Sequence, residues 1–186
     1  MREEKRVAIL ISGRGSNMRA LVERAEGYRV SVVGSNRTDA AGLDWARQHG
    51  LDTWALDSRS LGREEFDREM SAALEVRGIG TIALAGFMRI LTPWFVEEWR
   101  GRILNIHPSL LPKYRGLDTH RRAIEAGDRV GGCSVHVVTE ELDAGEVLGQ
   151  LEVPIVPGDS PGTLERRVLA AEHELYPMVL SKFVDR

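Results

Sequence analysis

The chain has one cysteine in 186 residues, Cys133, which excludes an internal disulfide and a multi-cysteine zinc centre. Within "GGCSVHVV" that thiol is expected to pack as a small apolar side chain. Charge of one sign is equally scarce. Lys and Arg number 25 against 28 Asp and Glu, a formal net charge of −3. Such a balance excludes a global field for gathering nucleic acid or anionic lipid and leaves only local basic patches. No apolar run approaches membrane-spanning length, and the opening "MREEKRVAILIS" lacks the long apolar stretch and small-residue cleavage site of a secretory signal. Low-complexity tracts, internal repeats and linkers are missing too. What remains reads as a soluble cytoplasmic protein with neither a nucleic-acid nor a membrane partner. Its 42% hydrophobic content predicts one domain over residues 1–186.

Short runs rich in Val, Ile and Leu alternate with segments of helical period, the habit of an α/β, doubly wound, mostly parallel twisted sheet with helices on both faces. Predicted strands are Val7–Ile11, Val30–Ser35, Thr53–Leu56, Thr81–Ala85 and Ile103–His107. The helices between them are Met18–Ala25, Ala41–His49, Arg63–Val76 and Pro93–Trp99. A helix Thr119–Ala126, strands Ser134–Val138 and Val147–Val156, and a long helix from about Pro161 to Phe183 complete the chain. The last two strands have no helix between them, which predicts antiparallel or mixed C-terminal pairing. Loops that follow strands in such sheets carry function, here Ser12–Asn17, Gly86–Leu91, Asn105–Gly116 and Thr139–Glu146.

Asn105 and His107 stand two positions apart in "NIHPSLLP", hence on one face of a strand that Pro108 ends. An amide donates to a developing oxyanion and an imidazole carries a proton, a pairing suited to attack on a carbonyl carbon. A capped strand end with His107 bonded to nearby backbone is the bland alternative. Asp143 precedes an Ala144–Gly145 turn and is expected to accept a hydrogen bond from His107, orient the ring and raise its pKa. An ordinary turn aspartate is the competing reading. No serine or cysteine nucleophile is required if the substrate brings an amine. His136 shares a strand face with Ser134, either supporting the site or packed in the core. His120 and His173 fall in helical segments without the two-histidine zinc spacing, so no metal is implied.

"LISGRGSNM" joins the first strand to the first helix, with Gly13 and Gly15 permitting close approach and Ser16 and Asn17 available as caps. Its backbone N–H groups suit a phosphate at a helix N-terminus, and a ligand-free tight turn is the alternative. A dinucleotide site is disfavoured: Met18 stands where the third glycine belongs, and Ser35-Asn36-Arg37 replaces the acidic residue. Only Arg37 leaves room for NADP. The Walker lysine is missing.

The ordered pieces "LISGRGSN", "SNRTDAAGL", "LAGFMRIL", "NIHPSLLPKYRGLDTH", "TEELDAGEV" and "EHELYP" resemble the folate-dependent formyltransferases, in particular the phosphoribosylglycinamide type of purine biosynthesis. The resemblance implies a Rossmann-like formyltransferase fold. The implied reaction is transfer of a formyl group from the co-substrate 10-formyltetrahydrofolate to the amine of glycinamide ribonucleotide, without a metal. It also implies catalytic roles for Asn105, His107 and Asp143. Gly15, Ser16 and Asn17 would hold the substrate phosphate, and Glu172 would contact the glycinamide end. Folate would meet Arg63, Met88, Arg89, Ile90, Leu91, Asn105 and the loop Thr139, Glu140, Glu141, Leu142 and Asp143. Protonated His107 would then join Asn105 in stabilising the oxyanion, kept charged by Asp143. Asp118 stands where some relatives carry another His, and it is left outside the site. The rivals are a methionyl-tRNA formyltransferase, which adds an RNA-binding domain, a formyltetrahydrofolate hydrolase, and a non-catalytic NADP-binding protein.

Overall fold

The computed structural model describes residues 5–186. The charged opening on which the secretory-signal reading partly rests, residues 1–4, lies outside the described residues. The elements run β1 (Arg6–Ile11), α1 (Ser16–Glu23), β2 (Arg29–Ser35), α2 (Ala41–Gln48), β3 (Thr53–Ala55), α3 (Arg63–Glu75) and β4 (Thr81–Leu84). They continue α4 (Pro93–Glu98), β5 (Ile103–His107), α5 (Thr119–Glu125), β6 (Val130–Val137), β7 (Val147–Pro154) and α6 (Pro161–Val184). One seven-stranded sheet orders them β3-β2-β1-β4-β5-β6-β7. The first five pair in parallel, while β6 is antiparallel to both β5 and β7. The doubly wound sheet with a mixed C-terminal edge is therefore the observed one.

Alternation along the strands splits the core between two faces. Val7, Ile9 and Ile11 of β1 and Leu104 and Ile106 of β5 pack with Met18 and Leu21 of α1, Leu43 of α2 and Val168, Leu175 and Leu180 of α6. Ala8, Leu10 and Ile103 look the other way, onto Phe66, Met70 and Leu74 of α3 and Phe95 and Trp99 near α4. Buried apolar area of this kind, at roughly 25 cal/mol per Å², is the main favourable term holding the layers together. Tyr176 of α6 is fully buried and donates its hydroxyl to the carbonyls of Leu84 and Leu104, 3.1 Å from each, so the long helix is bonded as well as packed to β4 and β5.

Most element bounds shift by one or two residues from expectation, and two of the shifts have a clear physical reason. Strand β6 starts at Val130, four residues early, because Gly131 and Gly132 pair with Val153 and Glu152 although glycines carry no strand signal. Helix α1 begins at Ser16 with Gly15 as its N-cap in the left-handed region at φ 73, and no side chain caps it. Ser16 and Asn17 are thus helical residues, not caps. At the amino ends of the parallel strands the first and last parts of the described chain meet one turn: Lys5 accepts a hydrogen bond from the Arg29 N–H, and Gly27 faces the Asp185 carboxylate.

Candidate active site

Asn105 and His107 share a face of β5, the register bringing Asn105 opposite His136 and His107 opposite Ser134 on β6. The strand ends at His107 as Pro108 demands. The Asn105 Nδ2 lies 3.2 Å from His136 Nε2, and the other nitrogen of that ring, Nδ1, lies 3.0 Å from the Val137 carbonyl. A carbonyl only accepts, so Nδ1 carries a proton, while Nε2 lies between the Asn105 amide and the Asp143 carboxylate. One Asn105 N–H faces that ring. The second stays available to a developing oxyanion.

Because β6 runs against β5, its carboxyl end lies beside the start of β5, where the Val138 N–H donates to the Ile103 carbonyl. The loop that follows therefore does not sit with the other strand-end loops by default. It doubles back. Asp143 reaches β5 in a left-handed conformation at φ 49, uncommon for a non-glycine residue, and the turn closes through Val137 N–H to Glu146 carbonyl, 2.9 Å. Gly145 makes this possible, since a Cβ there would sit 1.8 Å from the Val137 carbonyl oxygen. The Ala144–Gly145 turn is tightly seated.

So delivered, the buried Asp143 carboxylate accepts from the Gly116 N–H at 2.9 Å and faces both imidazoles, Oδ2 3.4 Å from His107 Nδ1 and Oδ1 3.5 Å from His136 Nε2. Burial opposes its charge, but the pull of His136, the Gly116 N–H and His107 prevails and holds the carboxyl below its ordinary value. The sequence reading is corrected at His107, whose pKa is lowered. Burial of the ring dominates, and the raising effects of the Tyr114 carbonyl and Asp143 do not offset it. His107 Nε2 donates to Tyr114 carbonyl at 2.9 Å, leaving Nδ1 as the nitrogen toward Asp143. Burial thus favours the neutral form of the resting ring. It suits the uptake of a proton rather than standing donation to an oxyanion. His136 and the Tyr114 carbonyl are the participants that sequence left open or missed; pairing of Asn105 with His136 follows only once β6 is known to be antiparallel.

Neighbouring hydroxyls are occupied. Ser109 Oγ donates to the Lys113 carbonyl at 2.7 Å, and Ser134 Oγ donates to the Ser109 carbonyl at 2.6 Å while accepting from the Leu111 N–H. Neither is set up as a nucleophile. Among the described residues no group of three His, Cys, Asp or Glu side chains could hold a metal.

The glycine loop lies across the sheet, on the face covered by α1 and α6. Asn17 Nδ2 donates to Glu172 Oε2 at 2.7 Å, joining two of the expected substrate residues, while Asn17 Oδ1 is buried without a partner. Burial pushes the Glu172 carboxyl up to about 7 against the opposing pull of Asn17. Gly15 supplies the left-handed turn, and Ser16 is exposed. Arg37, the residue that left room for NADP, forks onto Asp39 with two 3.0 Å bonds.

In the loops that follow β4 and β6, Met88, Ile90 and Leu142 expose 75%, 68% and 57% of their surface. Leu91, after β4, and Val138, at the end of β6, both pack on the apolar cluster formed with α3 and α4. Arg63 and Arg89 cross: Arg63 Nη2 donates to the Ile90 carbonyl and Arg89 Nη2 to the Arg63 carbonyl, both at 3.1 Å. Thr139, Glu140 and Glu141 are exposed, and Glu141 pairs with Arg115 at 2.6 Å.

An amide donor, a neutral imidazole and a carboxylate, with no protein nucleophile beside them, define an enzyme that passes a carbonyl carbon to a nucleophile brought by substrate. The chain belongs to the formyl transferase family, whose model matches residues 5–180. It is 47% identical over 184 residues to phosphoribosylglycinamide formyltransferase of Escherichia coli (strain K12), covering 96% of this chain and 87% of that one. The crystal structure of phosphoribosylglycinamide formyltransferase from Brucella melitensis superposes with a TM-score of 0.94 at 44% identity, covering 99% and 97% of the two chains. The human trifunctional purine biosynthetic protein adenosine-3 is 43% identical over 184 residues; the match takes in 96% of this chain but spans only 18% of that longer protein.

Proposed function

We propose that this chain transfers the formyl group of 10-formyltetrahydrofolate to the amine of glycinamide ribonucleotide, giving the N-formyl product and tetrahydrofolate in purine biosynthesis, with residues 1–186 acting as one formyltransferase domain. The observation that carries the mechanism is the position of Asp143, within 3.5 Å of both imidazoles and joined through His136 to the Asn105 amide. In this reading the two substrates approach from opposite faces of the sheet. Gly15, Ser16 and Asn17 hold the ribonucleotide phosphate, Glu172 holds the glycinamide end, and Arg63, Met88–Leu91 and the loop Thr139–Asp143 hold the folate.

The substrate amine attacks the formyl carbon. The carbonyl oxygen gathers negative charge and takes the free N–H of Asn105, a donor whose removal costs on the order of 100- to 1000-fold in rate. Neutral His107 accepts the amine proton at Nδ1, and the imidazolium so formed is stabilised by Asp143. The carbon–nitrogen bond to folate then breaks, the same proton passes to the folate nitrogen, and His107 returns to its resting state.

The test is an absorbance assay for the folate product with glycinamide ribonucleotide as acceptor. Wild type should turn over, and His107→Ala should lose about 100-fold or more in kcat, the scale of a general acid–base contribution, while binding a folate analogue within a few-fold of wild type. Undiminished turnover in the variant would remove His107 from the chemistry. Turnover with water as the only acceptor would assign a hydrolase instead.

A further inference from the structure

Asp67, on α3, is fully buried and touches none of the groups assigned above to the reaction or to the ribonucleotide. A charge that deep is tolerated only with partners, and both of its partners lie in one short segment. Oδ2 accepts from the Thr92 N–H at 2.7 Å. Oδ1 has no hydrogen bond and faces Arg89 Nε at 3.7 Å; that nitrogen is likewise buried and unbonded, on a side chain only 13% exposed. The Arg89 guanidinium also lies over the Phe66 ring, 4.5 Å from its centroid, and donates to the Arg63 carbonyl. Its charge is turned inward, toward α3.

At the other end of the same loop Ser12 Oγ accepts from the Met88 N–H at 2.8 Å, and the Ser12 N–H donates to the Gly86 carbonyl at 3.1 Å. Between these fastenings Met88 and Ile90 stand out in solvent. The segment is thus pinned at Met88 and again at Arg89 and Thr92.

We infer that Asp67 is a positioning residue for formyl-folate binding: it clamps Arg89 and Thr92 onto α3 and so fixes the shape in which Met88–Leu91 meets the ligand. The inference rests on the reading of that loop as part of the folate site. Asp67 itself touches no substrate. Its removal frees the loop, adds ordering to the cost of binding, and leaves the Asn105–His107–Asp143 cluster and the ribonucleotide residues as they were.

The test compares Asp67→Asn with wild type by steady-state kinetics, by equilibrium binding of a folate analogue, and by amide exchange over Met88–Thr92. The expected result is a rise of about tenfold in the KM for formyl folate and in the analogue Kd, the loss of one charge-assisted contact, with kcat and the KM for the ribonucleotide within twofold. A general loss of packing would move both KM values or neither. If Asp67→Asn does not fold, Asp67→Glu is read the same way, since a longer carboxylate keeps the charge and displaces the loop. Unchanged analogue affinity in a folded variant overturns the inference. Failure of the analogue to protect Met88–Leu91 from exchange in wild type overturns the loop assignment beneath it.

Discussion

Glu172 is a carboxyl 7% exposed whose pKa is pushed up to about 7 by burial. In the unfolded chain it ionises near its ordinary value, so between the two pH values the folded state holds the extra proton. Stability from this group is then fully present at low pH and is lost as pH rises through about 7, a swing on the order of 3 kcal/mol. Glu172→Gln, whose amide oxygen can still accept from Asn17, should be more stable than wild type at pH 8 and no more stable at pH 5; denaturant midpoints at the two pH values decide it. The same variant should transfer formyl poorly while binding folate analogue normally, because the substrate amine would lose the carboxylate that accepts its N–H and sets its position. His107 gives a second pH signature. The ring must be neutral to accept a proton, and its pKa is lowered by burial, so activity should persist below the range of an exposed histidine. Asp143→Asn removes a raising influence, so the acid limb of the kcat/KM profile should move further down as overall activity falls. An unmoved limb would separate Asp143 from His107.

The loop between β6 and β7 shows what single elements reveal in sequence and what they hide. "ELDAGEV" announced a carboxylate before a turn, but nothing in its spacing told that β6 is reversed or that the loop folds back to bring Asp143 to β5. That information lies in strand pairing between residues far apart in the chain. Asn105 and His107, by contrast, were legible as a pair because strand alternation and the following proline are local. The lowered pKa of His107 was not legible, since it depends on how many neighbours crowd the ring. The folded-back loop makes Gly145→Ala a sharp test. Its Cβ would meet backbone, not a movable side chain. The loop must shift, and a displacement of about 1 Å at a catalytic group can cost on the order of 100-fold, so kcat/KM should drop by that order with the sheet intact by circular dichroism.

Across the whole molecule, alternation of apolar strands and amphipathic segments was enough to anticipate the doubly wound sheet. The strand order that separates the two proposed substrate faces was not contained in any one stretch. It arises because β1, first in sequence, lies inside the sheet, with β2 and β4 on either side. That arrangement also sends both ends of the described chain to the turn at Gly27–Arg29, at the amino ends of the strands and away from the Gly15 loop. Lys5 and Asp185 therefore both lie at the opposite end of the strands from the residues proposed to hold the ligands. A folded reporter fused at the amino or the carboxyl end, through a short flexible tether, should leave both KM values within twofold; a rise for either substrate would show that the ends approach that substrate's entrance.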